Sequence, residues 1–144
     1  MEFGLFVEFP CHHGVSQAQV FKESFALVDA AESMGVEMVW LAEYHFNPAR
    51  SVLSAPITVA SAIAARTKRT RIGLAVHVLP LRNPVRVAEE VATLDHISQG
   101  RLDFGIGRSA FPSVYQGYGM DYNESRGRFN ECLVPAGQGW PAAD

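Results

Sequence analysis

A chain of 144 residues, 48% hydrophobic and 19% charged, has the balance of one globular domain and excludes a disordered or low-complexity protein. Its net charge of −3 gives no electrostatic reason to expect nucleic acid or an anionic membrane as partner. Cys11 and Cys132, far apart, make no disulfide framework. The N-terminus, with Glu2 and Glu8 and no long apolar core, does not read as a signal peptide, so a reducing cytoplasm is expected. The longest weakly polar stretch, residues 52–65, is too short to span a bilayer. The basic cluster Arg66, Lys68, Arg69 and Arg71 reads as a helix end that complements the macrodipole.

In chain order, residues 3–9 read as a β-strand rich in Phe and Val. Ser16-Gln17-Ala18-Gln19 matches a capping box, with Ser16 as N-cap and Gln19 reaching back. A helical stripe follows through Val20, Leu27, Ala31 and Met34, with Gly35 as its stop. Residues 36–41 form the second strand, and Ser54, with Pro56 just inside, opens a second helix ending near Arg66. The third strand spans residues 71–78, with Ile72, Leu74, Val76 and Val78 expected on one face and Gly73, Ala75 and His77 on the other. Asn83-Pro84 starts a third helix, whose stripe is Val87, Val91 and Leu94 and whose stop is Gly100. Residues 101–107 form the fourth strand, with Leu102, Phe104 and Ile106 alternating. A polar loop rich in Gly and Tyr follows, and Asn123 or Asp121 caps a fourth helix through Phe129 and Leu133.

Strand starts thus recur roughly every 30 to 35 residues, the period of βα units. A closed barrel of eight such units needs about 250 residues, so the expected fold class is α/β, half of a (β/α)8 barrel with about four βα units. Residues 1–133 carry that pattern. Pro135, Gly137 and Gly139 are expected to end any helix, leaving 134–144 as an irregular tail in which Trp140 has no evident apolar partner. The chain reads as cut short.

The run ending at Leu41 breaks into Glu43-Tyr44-His45-Phe46. At the carboxyl end of a parallel strand, where ligands bind in α/β folds, those groups form a site. Five segments, in order and in register, carry a family resemblance: Met1-Glu2-Phe3-Gly4-Leu5-Phe6, Trp40 to Phe46, Val78-Leu79-Pro80-Leu81-Arg82-Asn83-Pro84-Val85-Arg86, Thr93 to Leu102, and Phe104-Gly105-Ile106-Gly107-Arg108. Together they resemble the N-terminal half of the bacterial luciferase-like flavin-dependent monooxygenases, which fold as (β/α)8 barrels. The resemblance implies reduced FMN, supplied by a reductase, and O2 as reactants that oxidise a small organic substrate, such as an aldehyde. Some relatives use the deazaflavin F420 instead.

The resemblance also implies roles for particular residues. His45 falls on the family's E-H-H-F signature, where an imidazole can move protons near neutral pH or hydrogen-bond flavin or substrate. Glu43 would orient it. Tyr44 replaces the first histidine of the pair, and a phenol, whose pKa lies near 10, is a weak base near pH 7. Luciferase-type acid–base chemistry is therefore in doubt, whereas hydrogen bonding or ring packing is not. Ala75 and Val76 match the segment that backs the flavin ring, where a cis peptide can occur; packing against a helix is the competing reading of the small residues there. His77 either faces the pocket or packs in the core. Gly107 takes the place of a reactive cysteine, Arg108 matches an arginine on the flavin phosphate, and Ser109 assists it. Cys11-His12-His13 has no partner cluster for a metal site.

Three readings of function follow. The chain is a flavin-dependent monooxygenase or its catalytic half, a non-catalytic flavin- or partner-binding module, or a truncated fragment. Half a barrel leaves two sheet edges unpaired, so a homodimer or a complementing chain is the expected partner.

Overall fold

The alternation of short apolar runs with amphipathic helices builds four consecutive βα units. The computed structural model describes residues 3–138. Strands β1 (Gly4–Val7), β2 (Met38–Leu41), β3 (Arg71–Val78) and β4 (Leu102–Gly107) pair in parallel in that order. Helices α1 (Gln17–Ser33), α2 (Pro56–Arg66) and α3 (Pro84–Ser98) supply the crossovers that parallel pairing requires. α4 (Pro112–Gly117) and α5 (Ser125–Gln138) follow β4. Among the described residues no helix is long and apolar enough to cross a membrane.

One face of the sheet is covered and the other is open. Val7, Val39, Leu41, Ile72 and Leu74 pack with Val28, Ala60 and Ile63 in the main core. That burial drives the assembly at roughly 25 cal/mol per Å² of apolar surface. The opposite face carries Phe6, 51% exposed, and Val76, 37% exposed. On that inner face the Trp40 ring covers Gly73, where any Cβ would collide with it. The edges of β1 and β4 have no further strand among the described residues. This is the expected half barrel.

Several local expectations need correction. Ser16 Oγ accepts from Gln19 N–H at 3.2 Å, but the Gln19 amide donates to Glu23 Oε1 at 2.7 Å instead of reaching back. The buried stripe of α1 is Val20, Ser24, Val28 and Ala31, whereas Leu27 is 47% and Met34 75% exposed. The i, i+4 ladder from Val20 runs through Ser24 and Val28, and the small serine lets α1 approach the sheet. The residue before α2 is Ala55, with no side-chain cap; Pro56, lacking an N–H, leaves one fewer donor to satisfy. Asn83 does cap α3, its Oδ1 accepting from Val85 and Arg86 N–H at 3.0 and 3.2 Å. Gln99 and Gly100 both take positive φ at its end.

The loop after β4 contains α4 and a 3-10 turn, Tyr122–Glu124, capped by Asp121, so α5 begins at Ser125. The α5 backbone stays helical to Gln138, past Pro135. One missing amide removes one bond of the ladder, and the remaining turns hold. Trp140 lies outside the described residues.

The largest departure is in β3. Leu74 pairs with Phe104, but His77 pairs with Ile106, so β3 carries one residue more than β4 between those rungs. An extra residue reverses the alternation. Val76 therefore faces the open inner side and His77 turns into the wall, 2% exposed. Gly105 lies opposite the irregularity, where a Cβ would collide with the Leu74 carbonyl oxygen. Gly105→Ala is thus expected to cost about 2–3 kcal/mol by forcing β3 and β4 apart, read by urea unfolding. A loss below about 0.5 kcal/mol, the level of an ordinary surface change, would contradict this packing.

Two polar hubs hold the end of the sheet away from the site. Glu32 Oε1 accepts from the backbone N–H groups of Lys68 and Arg69 at 2.7 Å and of Thr70 at 3.1 Å. Arg101 donates to the Ala64, Thr67, Thr70 and Ser98 carbonyls, collecting the carboxyl ends of α2 and α3.

Candidate active site

The tetrad after β2 lies at the carboxyl end of the sheet, and its organising group is a buried carboxylate. The Glu43 side chain has no exposed surface. Its Oε1 lies 2.7 Å from His45 Nε2 and accepts from Arg82 Nη2 at 3.2 Å. Its Oε2 accepts the Val78 backbone N–H at 3.0 Å and lies 3.0 Å from His77 Nδ1, which is off the direction of a good hydrogen bond. Burial alone would raise the Glu43 carboxyl; the His45, His77 and Val78 contacts outweigh it and lower the pKa to about 2. Glu43 is therefore an anion throughout the neutral range.

That charge sets the neighbouring imidazole. With a carboxylate at 2.7 Å, His45 Nε2 carries the proton. Nδ1 then faces the Tyr118 hydroxyl at 3.3 Å, and the Tyr118 ring meets the imidazole edge-on with centroids 5.2 Å apart. His45 is 9% exposed, so it is fixed from two sides and opens to the pocket by a narrow surface.

Tyr44 is held differently. Its hydroxyl donates to Glu8 Oε1 at 3.2 Å and receives Arg50 Nε at 3.4 Å. Arg50 also donates to Glu8 at 2.6 Å and lies over the Tyr44 ring at 5.5 Å. The phenol and the carboxylate beside it keep the Arg50 guanidinium firmly charged.

A cavity of about 690 Å³ opens over the inner face of the sheet, lined by Phe6, Glu43, Tyr44, His45, Val76 and Phe111 among others. Ala75 and Ser109 also line it. The Ala75–Val76 peptide is cis. Gly107 lies behind Val76, where a Cβ would strike the Val76 side chain. Ser109 takes φ 64° and Phe46 φ 57°, a left-handed conformation that non-glycine residues adopt at a cost of order 1–3 kcal/mol.

The structure thus gathers Glu43, Tyr44, His45, Ala75, Val76 and Ser109 around one cavity, with Gly107 supporting it. Arg108 points elsewhere: its Nη1 donates to Ser125 Oγ at 2.6 Å and its guanidinium lies over the Tyr122 ring at 5.3 Å. Sequence alone gives Arg82, Arg50 and Tyr118 no place at the site and leaves His77 between pocket and core; the structure puts His77 in the wall. Arg82 stands inside the Leu-Arg-Asn-Pro segment, which was a signal; Arg50 and Tyr118 have none.

Comparison with known proteins places the sequence and the fold in a family. Residues 1–135 match the family described as luciferase-like monooxygenase. The alkanal monooxygenase alpha chain of Photorhabdus laumondii subsp. laumondii is 36% identical over 132 residues, covering 92% of this chain and 36% of that protein. The crystal structure of the monooxygenase RslO1 from Streptomyces bottropensis superposes with a TM-score of 0.91 at 32% identity, covering 100% of this chain and 44% of that one. The oxygenating constituent of 3,6-diketocamphane monooxygenase from Pseudomonas putida, a type II Baeyer-Villiger enzyme solved with FMN, gives a TM-score of 0.85 at 25% identity, over 92% of this chain and 37% of that one. The chain therefore spans well under half the length of these relatives and forms a partial barrel. In sequence and in fold it belongs to the luciferase-like monooxygenase family.

Proposed function

We propose that this chain is the flavin-binding half of a monooxygenase, its inner cavity taking the ring system of reduced FMN or, alternatively, of F420. The observation that carries the reading is the Glu43–His45 pair, buried and hydrogen-bonded at 2.7 Å, beside an apolar cavity at the strand ends. The cavity fits a planar ring: Val76 and Ala75 form a low floor, the glycine behind them leaves Val76 room, and Phe6 and Phe111 supply apolar walls. When bound, the flavin supplies the two-electron chemistry with O2.

The residues of the chain do the rest. His45, kept in one tautomer by Glu43, presents Nδ1 as the acceptor of a hydrogen bond or a proton from the group beside it. Tyr44, tied to Glu8 and Arg50, acts through its ring and hydroxyl dipole, which favours flavin oxidations that need no base at that position. Phe6, Phe46 and Phe111 exclude water. Ser109 lines the cavity, and Arg108, with Nη1 on Ser125, is the cation proposed for the flavin phosphate. Four further βα units, from a second copy or a complementing chain, would cover the open edges of β1 and β4 and roof the cavity; the substrate is a small organic molecule, with aldehydes the first class to try.

FMN titration followed by fluorescence, with molar mass from light scattering, tests this. A monomer is expected to bind with a Kd above about 10 µM, because much of the roof is missing, and an assembled form more tightly. Val76→Arg is expected to weaken binding at least about tenfold, which is 1.4 kcal/mol. No binding at millimolar FMN, or tight binding by a proven monomer, would contradict the proposal.

A further inference from the structure

His77 is the buried titratable group that this chemistry does not use. Its side chain is 3% exposed, and among the described residues neither ring nitrogen makes a well-directed hydrogen bond. Unpaired polar atoms so deeply buried are rare in native proteins and call for an explanation. Nδ1 faces Glu43 Oε2 at 3.0 Å. The ring also lines a second cavity, of about 430 Å³, on the helix side of the sheet between α2 and α3. Ser61 and Thr58 of α2, Arg82 after β3, and Arg86, Glu89 and Glu90 of α3 share that cavity. Polar and charged side chains share its lining with apolar surface, and it is large enough for several waters, at roughly 30 Å³ each. Phe104 of β4 packs beside the His77 ring at 5.7 Å.

Glu43 therefore stands between two imidazoles, His45 on the inner pocket and His77 on the outer cavity, touching one oxygen each. We propose that His45, Glu43 and His77 form one proton-holding unit through the wall of the sheet, His45 exchanging protons with the pocket and His77 with the α2–α3 cavity, in which a proton on either imidazole opposes one on the other. The carboxylate stays charged and no proton passes through it. Arg82 already gives it one permanent positive neighbour at 3.2 Å, so two further imidazolium charges around one buried anion repel each other. The charged groups that share the cavity with His77 are Arg82, Arg86, Glu89 and Glu90, whereas Tyr118 and Phe46 face His45 without charge. The bearing on turnover rests on the flavin reading; the coupling itself does not.

Histidine-ring NMR titration of the 15N-labelled chain, without cofactor, tests it. In the unaltered chain the His45 and His77 signals are each expected to move in two steps at shared midpoints at least one pH unit, or tenfold in proton affinity, apart. His77→Gln should collapse the His45 curve to one step, and ring protons of His77 should show exchange contacts with water. A single-step His45 curve in the unaltered chain, indifferent to the pH at which His77 titrates, overturns the proposal even if the variant fails to fold. So does a two-step curve that survives His77→Gln, or a His77 ring without contact to water. Loss of FMN binding with coupling intact would sink the flavin reading alone.

Discussion

Glu43→Ala is expected to cost about 3–5 kcal/mol of folding free energy, enough to unfold a marginal domain. The size follows from what the change leaves behind. Arg82, His45 and the Val78 N–H lose their common acceptor, and Arg82 Nε is already buried without a partner. Removing one side of a buried charge cluster strands the other, which costs more than the cluster contributes when complete. Glu43→Gln keeps the shape and one acceptor oxygen and should cost less.

The same residue gives the protein an acid limit. The carboxyl is held at about 2 in the fold against 4.5 for the free group. A depressed carboxyl contributes stability that is complete above pH 4.5 and lost as the pH falls toward 2. That contribution is about 3 kcal/mol. Urea unfolding of the wild type and of Glu43→Gln at several pH values checks it: the gap between them should be full at pH 7 and close between pH 4.5 and 2. A gap independent of pH would mean that Glu43 acts through shape and not charge.

How far these features were legible differs residue by residue. The Asn83 cap, the Val87–Val91–Leu94 stripe and the alternation of Leu102, Phe104 and Ile106 depend on spacing within one element, and the structure carries all three. The faces of β3 depended on a partner. One extra residue between Leu74 and His77 is invisible in the strand itself, because only pairing with β4 defines it, and it exchanged the places of Val76 and His77. The Glu43–His45 contact, two residues apart, is local, and the resemblance implies it. Tyr118, 73 residues from His45, and Arg82, 39 from Glu43, reach the site only through tertiary folding. Arg108 shows the converse: its motif was plain, yet Ser125 and Tyr122 hold it, and neither could be paired with it from spacing.

His45→Ala is the change expected to separate chemistry from folding. The imidazole makes one strong contact, with Glu43, and one longer one, with Tyr118. After its loss Glu43 still has Arg82, the Val78 N–H and His77 around it, so the stability cost should stay near 1–2 kcal/mol. A positioned acid or base contributes about 10²–10⁴ in rate. If the proposed flavin oxidation is what the chain supports, its rate with reduced FMN in air should therefore fall by that factor, while FMN affinity changes less than about tenfold. The pH profile adds a second readout, because a group that moves a proton in turnover leaves an inflection that the variant lacks. If activity and unfolding free energy fall together and the profile keeps its shape, His45 is a packing histidine. The proton donor would then have to be sought among the groups that complete the barrel.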